Sequence, residues 1–169
     1  GIVGKTGGGK STLVKSIAVR FDLPLYVFDL ASLDNQTFVA EWREVQQNAP
    51  AIVLWEDFSA VFRGREFVAK VGAQRDPLTF DCLLNTISGV GSTDGILLFV
   101  TTNHVETLDP ALGIPRNGHG RSTRPGRLDC VIEFSPMELE QRRQLAAFIL
   151  SDYPDLIEAI ITAGEGETP

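Results

Sequence analysis

Glycines and a lysine near the start of the chain follow a spacing that suits phosphate binding. Residues 4–11 read Gly-Lys-Thr-Gly-Gly-Gly-Lys-Ser and match the pattern G-x-x-x-x-G-K-[ST] without deviation. Glycines let the backbone point successive N–H groups at phosphate oxygens, and the following helix adds its positive end. In such a loop Lys10 contacts the β- and γ-phosphates and Ser11 offers a hydroxyl to Mg²⁺. The predicted cofactor-binding residues are Gly4, Thr6, Gly7, Gly8, Gly9, Lys10, Ser11 and Thr12.

Two carboxylates follow an apolar run at residues 52–55. A phosphate-binding loop that supports hydrolysis needs an acid for the metal and an acid for the attacking water. By position, Glu56 is the predicted partner of Ser11 at Mg²⁺, and Asp57 is the predicted water-activating group. This Glu-Asp order inverts the commoner Asp-Glu. The alternative is a solvated acidic strand end.

A second apolar run, residues 97–100, ends in Thr101, Thr102 and Asn103. Asn103 is predicted to help orient the attacking water, and the alternative is a cap or turn residue. His104 is interpreted as a structural or supporting residue. A histidine metal site is not expected, because the chain has only two histidines and His119 lies in a loop.

Arginines occur in the segment Arg124-Pro125-Gly126-Arg127. The planar guanidinium group matches phosphate oxygens in two-point contact, so Arg124 and Arg127 are candidates for stabilising charge during phosphoryl transfer. The alternative is a pair of surface arginines beside a turn.

The hydrophobic pattern predicts an α/β fold. Apolar runs without alternation suit strands that are buried on both faces, as in a parallel sheet covered by helices. We predict five parallel strands in a three-layer α/β/α sandwich of the P-loop NTPase type. The first strand is truncated at Gly1, and the others cover residues 25–30, 51–55, 96–101 and 130–134. Helices are predicted over residues 10–21, with Leu13, Ile17 and Phe21 on the buried face, and over residues 35–47, with Phe38, Trp42 and Val45.

The end of the chain has a different organisation. Ser135, Pro136 and Glu138 form a helix-start pattern, which predicts a helix from there toward Leu150 and a second helix after Pro154. We therefore expect an α/β core at residues 1–135 and the start of a helical lid at residues 136–169. Residues 113–123 are rich in Gly and polar residues and are predicted to form a flexible loop.

Composition narrows the possible classes of protein. The hydrophobic content of 43% is typical of a globular chain, and no apolar run is long enough to span a bilayer. A net charge of −7 weighs against broad electrostatic binding of nucleic acid. Cys82 and Cys130 are expected to be buried small residues rather than a bridge. We predict a cytoplasmic location. We also expect sequence to be missing at both ends, and membrane association would depend on such a missing segment.

In order and approximate spacing, these motifs resemble the AAA+ ATPases. The segments that carry the resemblance are residues 4–11, 54–57, 101–103, 109–112 and 124–129. The resemblance implies Mg²⁺-dependent ATP hydrolysis, with Lys10 and Ser11 as Walker A, Glu56 and Asp57 as Walker B, and Asn103 as sensor 1. It also implies a homo-oligomeric ring, usually a hexamer, in which Arg124 and Arg127 complete the site of the adjacent protomer.

Finer details are similar to the BCS1-like branch of that family. They are the inverted Glu56-Asp57 pair, residues 79–90 and the sequence from Thr101 to His104. Members of that branch can form heptamers and move folded proteins across or out of membranes. This resemblance implies a protein substrate.

Two segments need separate consideration. Residues 113–123 separate Leu112 from Arg124, where the family has about one residue; they are either a tolerated surface insertion or a contact to a neighbour through Arg116 and Arg121. Residues 63–76 follow the acidic strand and are either a substrate-gripping pore segment or a solvated charged loop or helix. The residues of interest around this second segment are Phe62, Arg63, Arg65, Phe67, Lys70 and Arg75.

Alternatives to a protein-remodelling motor stay open at this point. One is a nucleic-acid-associated motor of the same superfamily, which the acidic charge disfavours. Another is an ATP-binding switch or scaffold with little hydrolysis, if the insertion displaces Arg124. A GTPase is disfavoured because the chain lacks an Asn-Lys-x-Asp motif.

Overall fold

A parallel sheet forms the centre of the computed structural model, which describes residues 1–69, 76–88, 93–113, 120–122 and 127–163. The strands are β1 (Ile2–Gly4), β2 (Leu25–Phe28), β3 (Ala51–Trp55), β4 (Phe62–Arg63), β5 (Glu66–Phe67), β6 (Ile96–Thr102), β7 (Gly120–Arg121) and β8 (Cys130–Phe134). The main sheet has the order β2-β3-β6-β1-β8-β7, and β4 and β5 form a separate hairpin. The five predicted parallel strands are confirmed, with β2 shorter and β6 longer than expected.

Helices cover both faces of this sheet, as the α/β prediction requires. They are α1 (Lys10–Phe21), α2 (Asn35–Gln47), α3 (Phe58–Val61), α4 (Phe80–Ile87), α5 (Leu139–Ile149) and α6 (Ile157–Ala163). Short 3₁₀ turns occupy Val105–Thr107, Pro110–Leu112 and Pro154–Leu156. On α2, Asp34 accepts a hydrogen bond from the Thr37 N–H, and this bond lowers the pKa of the Asp34 carboxyl.

Strand β3 shows why the sheet is buried on both faces. All five of its residues are fully buried, and alternate side chains enter two different cores. Ala51, Val53 and Trp55 join the larger core on the α2 and α4 side, whereas Ile52 and Leu54 join a smaller core beneath α1. The uninterrupted apolar sequence of β3 is thus explained by burial of the strand on both faces of the sheet.

Aromatic rings form the centre of the larger core. Phe38 lies 5.9 Å from Trp55 and 6.3 Å from Trp42 between ring centroids, and Trp42 lies 6.2 Å from Trp55. These separations fall in the range for favourable aromatic pairs. Phe38, Trp42 and Val45 are all buried, so the predicted face of α2 is confirmed.

The predicted face of α1 is partly wrong. Val14 and Ala18 are the buried apolar residues of this helix, Leu13 and Ile17 are only partly buried, and Phe21 is exposed. The helix reverses at Asp22, whose left-handed backbone conformation (φ 52°) leads directly into the turn before β2. Phe21 therefore lies beyond the edge of the core.

Two further expectations need correction. The helix predicted to start at Ser135 begins at Leu139, because Glu138 and Gln141 form a reciprocal capping box there. Cys130 is exposed and Cys82 partly buried, so the prediction of two buried cysteines is wrong; both thiols are free.

The segment predicted as a flexible loop contains a strand. Gly120 and Arg121 pair with Val131 and Cys130 in antiparallel register, and the Ser122 N–H extends this ladder to the Asp129 carbonyl at 2.8 Å. Residues 114–119 lie outside the described part of the chain. The insertion therefore returns to the sheet edge before the arginine segment begins.

The helices α5 and α6 pack against each other after the last strand. A salt bridge links the two helices, with Arg143 Nε 3.1 Å from Glu158 Oε1. Arg143 also pairs with Glu140 of its own helix. The second predicted helix, after Pro154, is present as a 3₁₀ turn that continues into α6. None of the helices in the described ranges has both the length and the apolar character of a membrane span.

The aromatic core generates a matched test of burial. Phe38→Ala removes a fully buried ring and is expected to lower the free energy of unfolding by about 3–5 kcal/mol. Phe21→Ala, at a ring that is 67% exposed, is the control and is expected to change it by less than about 0.5 kcal/mol. Urea denaturation measures both. Equal losses in the two variants would contradict this assignment of the core.

Candidate active site

The carboxyl ends of three parallel strands bring the predicted polar residues to one edge of the sheet. Trp55 at the end of β3 pairs with Val100 of β6, and Ile2 of β1 pairs with Thr101. The phosphate loop, the acidic pair and Asn103 each follow one of these strands directly. The register thus places three segments, far apart in the chain, around a single cleft.

This cleft has a volume of about 240 Å³. Most of the predicted site residues that the structure describes line it, and Gly4 and Arg127 are the exceptions. The lining residues are Thr6, Gly7, Gly8, Gly9, Lys10, Ser11, Thr12, Glu56, Asp57, Thr101 and Asn103.

Lys10 is the charged residue that connects two sides of the cleft. Its ammonium group donates to the carbonyls of Gly4 at 2.6 Å and Lys5 at 2.9 Å, and to Asn103 Oδ1 at 2.9 Å. Lys10 is 8% exposed, so these three oxygens compensate for the loss of water around the charge. The predicted phosphate-binding lysine and the predicted water-orienting Asn103 are therefore in direct contact.

Glycine is required at two positions of the loop for different structural reasons. Gly9 caps α1 with a left-handed backbone (φ 82°), and a Cβ built there would meet no atom within 4 Å. A Cβ on Gly4 would lie 2.5 Å from the Phe134 carbonyl oxygen of β8. Gly9 thus permits the turn that opens the loop toward the cleft, whereas Gly4 permits close packing of β1 on β8.

Oxygen donors at the cleft suit a hard divalent cation. The Ser11 hydroxyl donates to Glu56 Oε1, so the two predicted metal ligands already adjoin each other. Hydroxyl and carboxylate oxygens are the donors that Mg²⁺ prefers. In the described ranges, no group of three or more His, Cys, Asp or Glu side chains is arranged as a metal site. The donor set fits a cation that takes its remaining ligands from phosphate and water.

Asp57 adopts an unusual backbone conformation at the mouth of the cleft. Its φ and ψ are both 46°, in the left-handed region that non-glycine residues seldom occupy. Its side chain does not cap α3, and its backbone N–H donates to Thr101 Oγ1 at 3.2 Å. The carboxylate is thereby left exposed to the cleft.

Thr101 is the residue that sequence reasoning missed. Thr101 is 2% exposed, and its hydroxyl donates to the Trp55 carbonyl at 3.5 Å while it accepts from the Asp57 N–H. A polar pair inside an otherwise apolar strand was the available signal. Its partners were not visible, because they lie on the neighbouring strand.

His104 has a local structural role, as its interpretation proposed. Its backbone N–H donates to Thr102 Oγ1 at 3.1 Å, and its Nδ1 lies 3.0 Å from Glu106 Oε1. The pKa of the Glu106 carboxyl lies below its ordinary value, chiefly through its own backbone N–H and next through His104. His119 lies outside the described residues.

The structure describes one of the two predicted arginines, Arg127. Arg124 lies outside the described residues. The guanidinium of Arg127 contacts its own chain: Nε donates to Ser88 Oγ at 2.8 Å, and Nη1 donates to the Ala111 carbonyl.

The β4–β5 hairpin packs onto the segment that follows Asn103. Phe62 is fully buried and Phe67 packs against the core, so Phe62 is excluded from gripping a substrate. Arg65 donates to Asp109 at 3.0 Å. Lys70 and Arg75 lie outside the described residues.

A comparison with protein-family models decides the family. Residues 1–119 match the model described as ATPase family associated with various cellular activities (AAA). The chain belongs to the AAA family. It is therefore an ATPase domain with a nucleotide-binding site, and its P-loop α/β fold is that of the family.

Curated relatives refine this assignment. The chain is 32% identical over 159 residues to the probable mitochondrial chaperone bcs1 of Schizosaccharomyces pombe, covering 93% of this chain and 32% of that protein. It is 34% identical over 150 residues to the probable mitochondrial chaperone BCS1-A of Dictyostelium discoideum, covering 85% and 33%. The predicted similarity to the BCS1-like branch is confirmed.

A second group of AAA relatives carries a protease name. The chain is 28% identical over 156 residues to the ATP-dependent zinc metalloprotease FtsH 2 of Methylacidiphilum infernorum, covering 85% of this chain and 22% of that protein. The chain thus spans about a third or less of the length of these relatives.

The contact between Thr101 and Asp57 gives a test of how this AAA domain holds its acidic residue. Thr101→Val leaves a backbone N–H without its acceptor and is expected to lower the free energy of unfolding by about 1–3 kcal/mol. Thr101→Ser keeps the hydroxyl and is the matched control. Guanidinium denaturation compares them. If the valine variant were as stable as the serine variant, the hydroxyl would have no role in holding Asp57.

Proposed function

We propose that this domain carries out Mg²⁺-dependent ATP hydrolysis within a ring of identical subunits that remodels or translocates protein substrates. The cleft that joins Lys10, Ser11, the acidic pair and Asn103 is the observation that carries the proposal. It combines one buried cation, two carboxylates and two glycines with left-handed backbones, Gly7 and Gly9, and phosphoryl transfer requires groups of these kinds.

Each residue has a proposed role in the mechanism. Backbone N–H groups of residues 7–11 bind the phosphates, and Lys10 balances their charge. Ser11 and Glu56 would hold Mg²⁺, which would neutralise negative charge on the bound phosphates. Asp57 accepts the proton of the attacking water, and Asn103, the acceptor of a hydrogen bond from Lys10, orients that water.

The remaining charge is supplied by a neighbouring subunit. Arg124 or Arg127 is the proposed arginine that stabilises the transition state across the interface, in a ring of six or seven subunits. Hydrolysis then changes this contact and moves the subunits relative to one another. The nucleic-acid alternative has less support, because the net charge of the chain is −7.

The proposed substrate class follows from the relatives. Their printed names are chaperone and protease, and both classes act on proteins. The division into a core at residues 1–135 and a lid that begins at residue 136 has support from α5 and α6, which pack against each other after the last strand. The cytoplasmic location stays a prediction, and the BCS1 relatives are named mitochondrial.

Removal of the buried lysine tests nucleotide binding. Lys10→Ala is expected to weaken ATP binding about 10- to 100-fold, since a charge-assisted hydrogen bond contributes about 1.5–3 kcal/mol. Lys15→Ala, which removes an exposed cation from the same helix, is the control and should leave affinity unchanged. Titration calorimetry with a slowly hydrolysed ATP analogue measures both. Equal affinity of the Lys10 variant and the parent would remove the proposed role of Lys10.

The dependence of the ATPase rate on protein concentration tests whether the active site is shared between subunits. In the full-length protein, the ATPase rate per subunit should rise with protein concentration, because a shared site forms only on assembly. Arg124→Ala should lower the assembled rate by about 10³–10⁵-fold. A rate that is negligible at every concentration, with ATP still bound, would instead favour a switch or scaffold. Hydrolysis stimulated by DNA would favour the nucleic-acid alternative.

A further inference from the structure

The Arg127 side chain is held by hydrogen bonds within its own subunit. Its two hydrogen-bond partners belong to different elements, since Ser88 follows α4 and Ala111 lies in the second 3₁₀ turn. The next residue adds a backbone bond from the Leu128 N–H to the Leu112 carbonyl at 2.9 Å. Leu112 and Leu128 are both buried. The backbone beside Arg127 and its side chain are thus held to the same turn.

This turn is connected to the acidic side of the active site. Asp109, at its start, accepts from the Ala111 N–H at 2.7 Å and from Arg65 of the β4–β5 hairpin at 3.0 Å. The Gly64 N–H of the same hairpin donates to the Thr107 carbonyl at 2.8 Å. The hairpin follows the acidic strand by way of α3, so the turn is tied to the element that carries Asp57.

The turn is connected to Asn103 through the chain itself. Only residues 104–108 separate Asn103 from Asp109, and Thr107 donates its side-chain hydroxyl to the His104 carbonyl at 2.8 Å. A displacement of the second 3₁₀ turn is therefore passed to Asn103 over a short, hydrogen-bonded segment.

We propose that Arg127 is a positioning residue of its own subunit and that Arg124 alone is the arginine given to the neighbour. This inference rests on the proposed function and narrows it. A guanidinium that crossed to another subunit would give up its bonds to Ser88 and Ala111. Ala111 is 8% exposed, so its carbonyl would lose a hydrogen-bond donor that water replaces poorly. In place, Arg127 fixes the turn that connects the segments carrying Asp57 and Asn103.

A positioning role predicts a particular kinetic signature. Arg127→Ala is expected to lower kcat about 10²-fold, the cost of a small misplacement of catalytic groups, with little change in KM for ATP. Ser88→Ala removes one anchor without touching Arg127 and should lower kcat in the same direction, by about fivefold. The control is Ser16→Ala, which removes a hydroxyl that donates to the Thr12 carbonyl within α1 and should leave kcat unchanged.

Mixed rings of the full-length protein separate the two roles. One subunit carries Glu56→Gln and Asp57→Asn, so it cannot hydrolyse ATP but keeps both arginines. Mixed with Arg124→Ala subunits at equal amounts, it should restore hydrolysis at about one quarter of the interfaces, those that pair an intact site with an intact arginine. Mixed with Arg127→Ala subunits, it should restore none, because the defect lies in the subunit that hydrolyses.

Each outcome of these experiments has one meaning. Recovery in the Arg127 mixture would overturn the positioning role and leave the intersubunit site intact. Absence of recovery in the Arg124 mixture would overturn the intersubunit site of the proposed function, and Ser88→Ala then still decides the role of Arg127. An unchanged or faster kcat for Ser88→Ala would overturn the positioning role even if Arg127→Ala fails to fold.

Discussion

The buried ammonium group of Lys10 is the interaction on which the arrangement of the cleft depends. A lysine that is 8% exposed needs oxygen atoms close around it, and these are the carbonyls of Gly4 and Lys5 and the side-chain oxygen of Asn103, which directly follows β6. The first carbonyl comes from Gly4, whose missing side chain lets β1 pack against β8. The Lys10 ammonium group therefore holds the phosphate loop against the end of β1. It also fixes the side chain of Asn103, which is distant in sequence.

The sheet makes this coupling rigid. Strand β3 is fully buried on both faces, and the aromatic cluster around Phe38 and Trp55 packs against one of them. Because protein interiors are densely packed, the carboxyl ends of β3 and β6 have little freedom to shift independently. The acidic pair and Asn103 thus follow strands that end inside the packed core, while Asp57 itself keeps an unfavourable backbone conformation at its edge.

Much of this site could be predicted from sequence, because its features are local. The glycine spacing defines the loop, and uninterrupted apolar runs define the strands whose ends meet at the cleft. Features that depend on distant partners could not be predicted in this way. Thr101 acquires its role from Asp57, 44 residues away, and Arg127 is held by Ser88, 39 residues away. The start of α5 was misplaced because the competing cap at Glu138 and Gln141 becomes apparent only when both side chains are seen to bond.

The short antiparallel strand β7 has a consequence for how this protein can change over evolutionary time. Residue 113 ends a 3₁₀ turn next to a buried leucine, and residues 120–121 are fixed to the sheet edge, so both ends of the intervening stretch are anchored. The entropy of closing such a stretch rises only slowly with its length. Insertions and deletions between these anchors can therefore accumulate at little cost to the arginine segment, which begins only after the chain has rejoined the sheet. The anchors on either side would thus keep the start of the arginine segment in register with the sheet edge when the length between them changes.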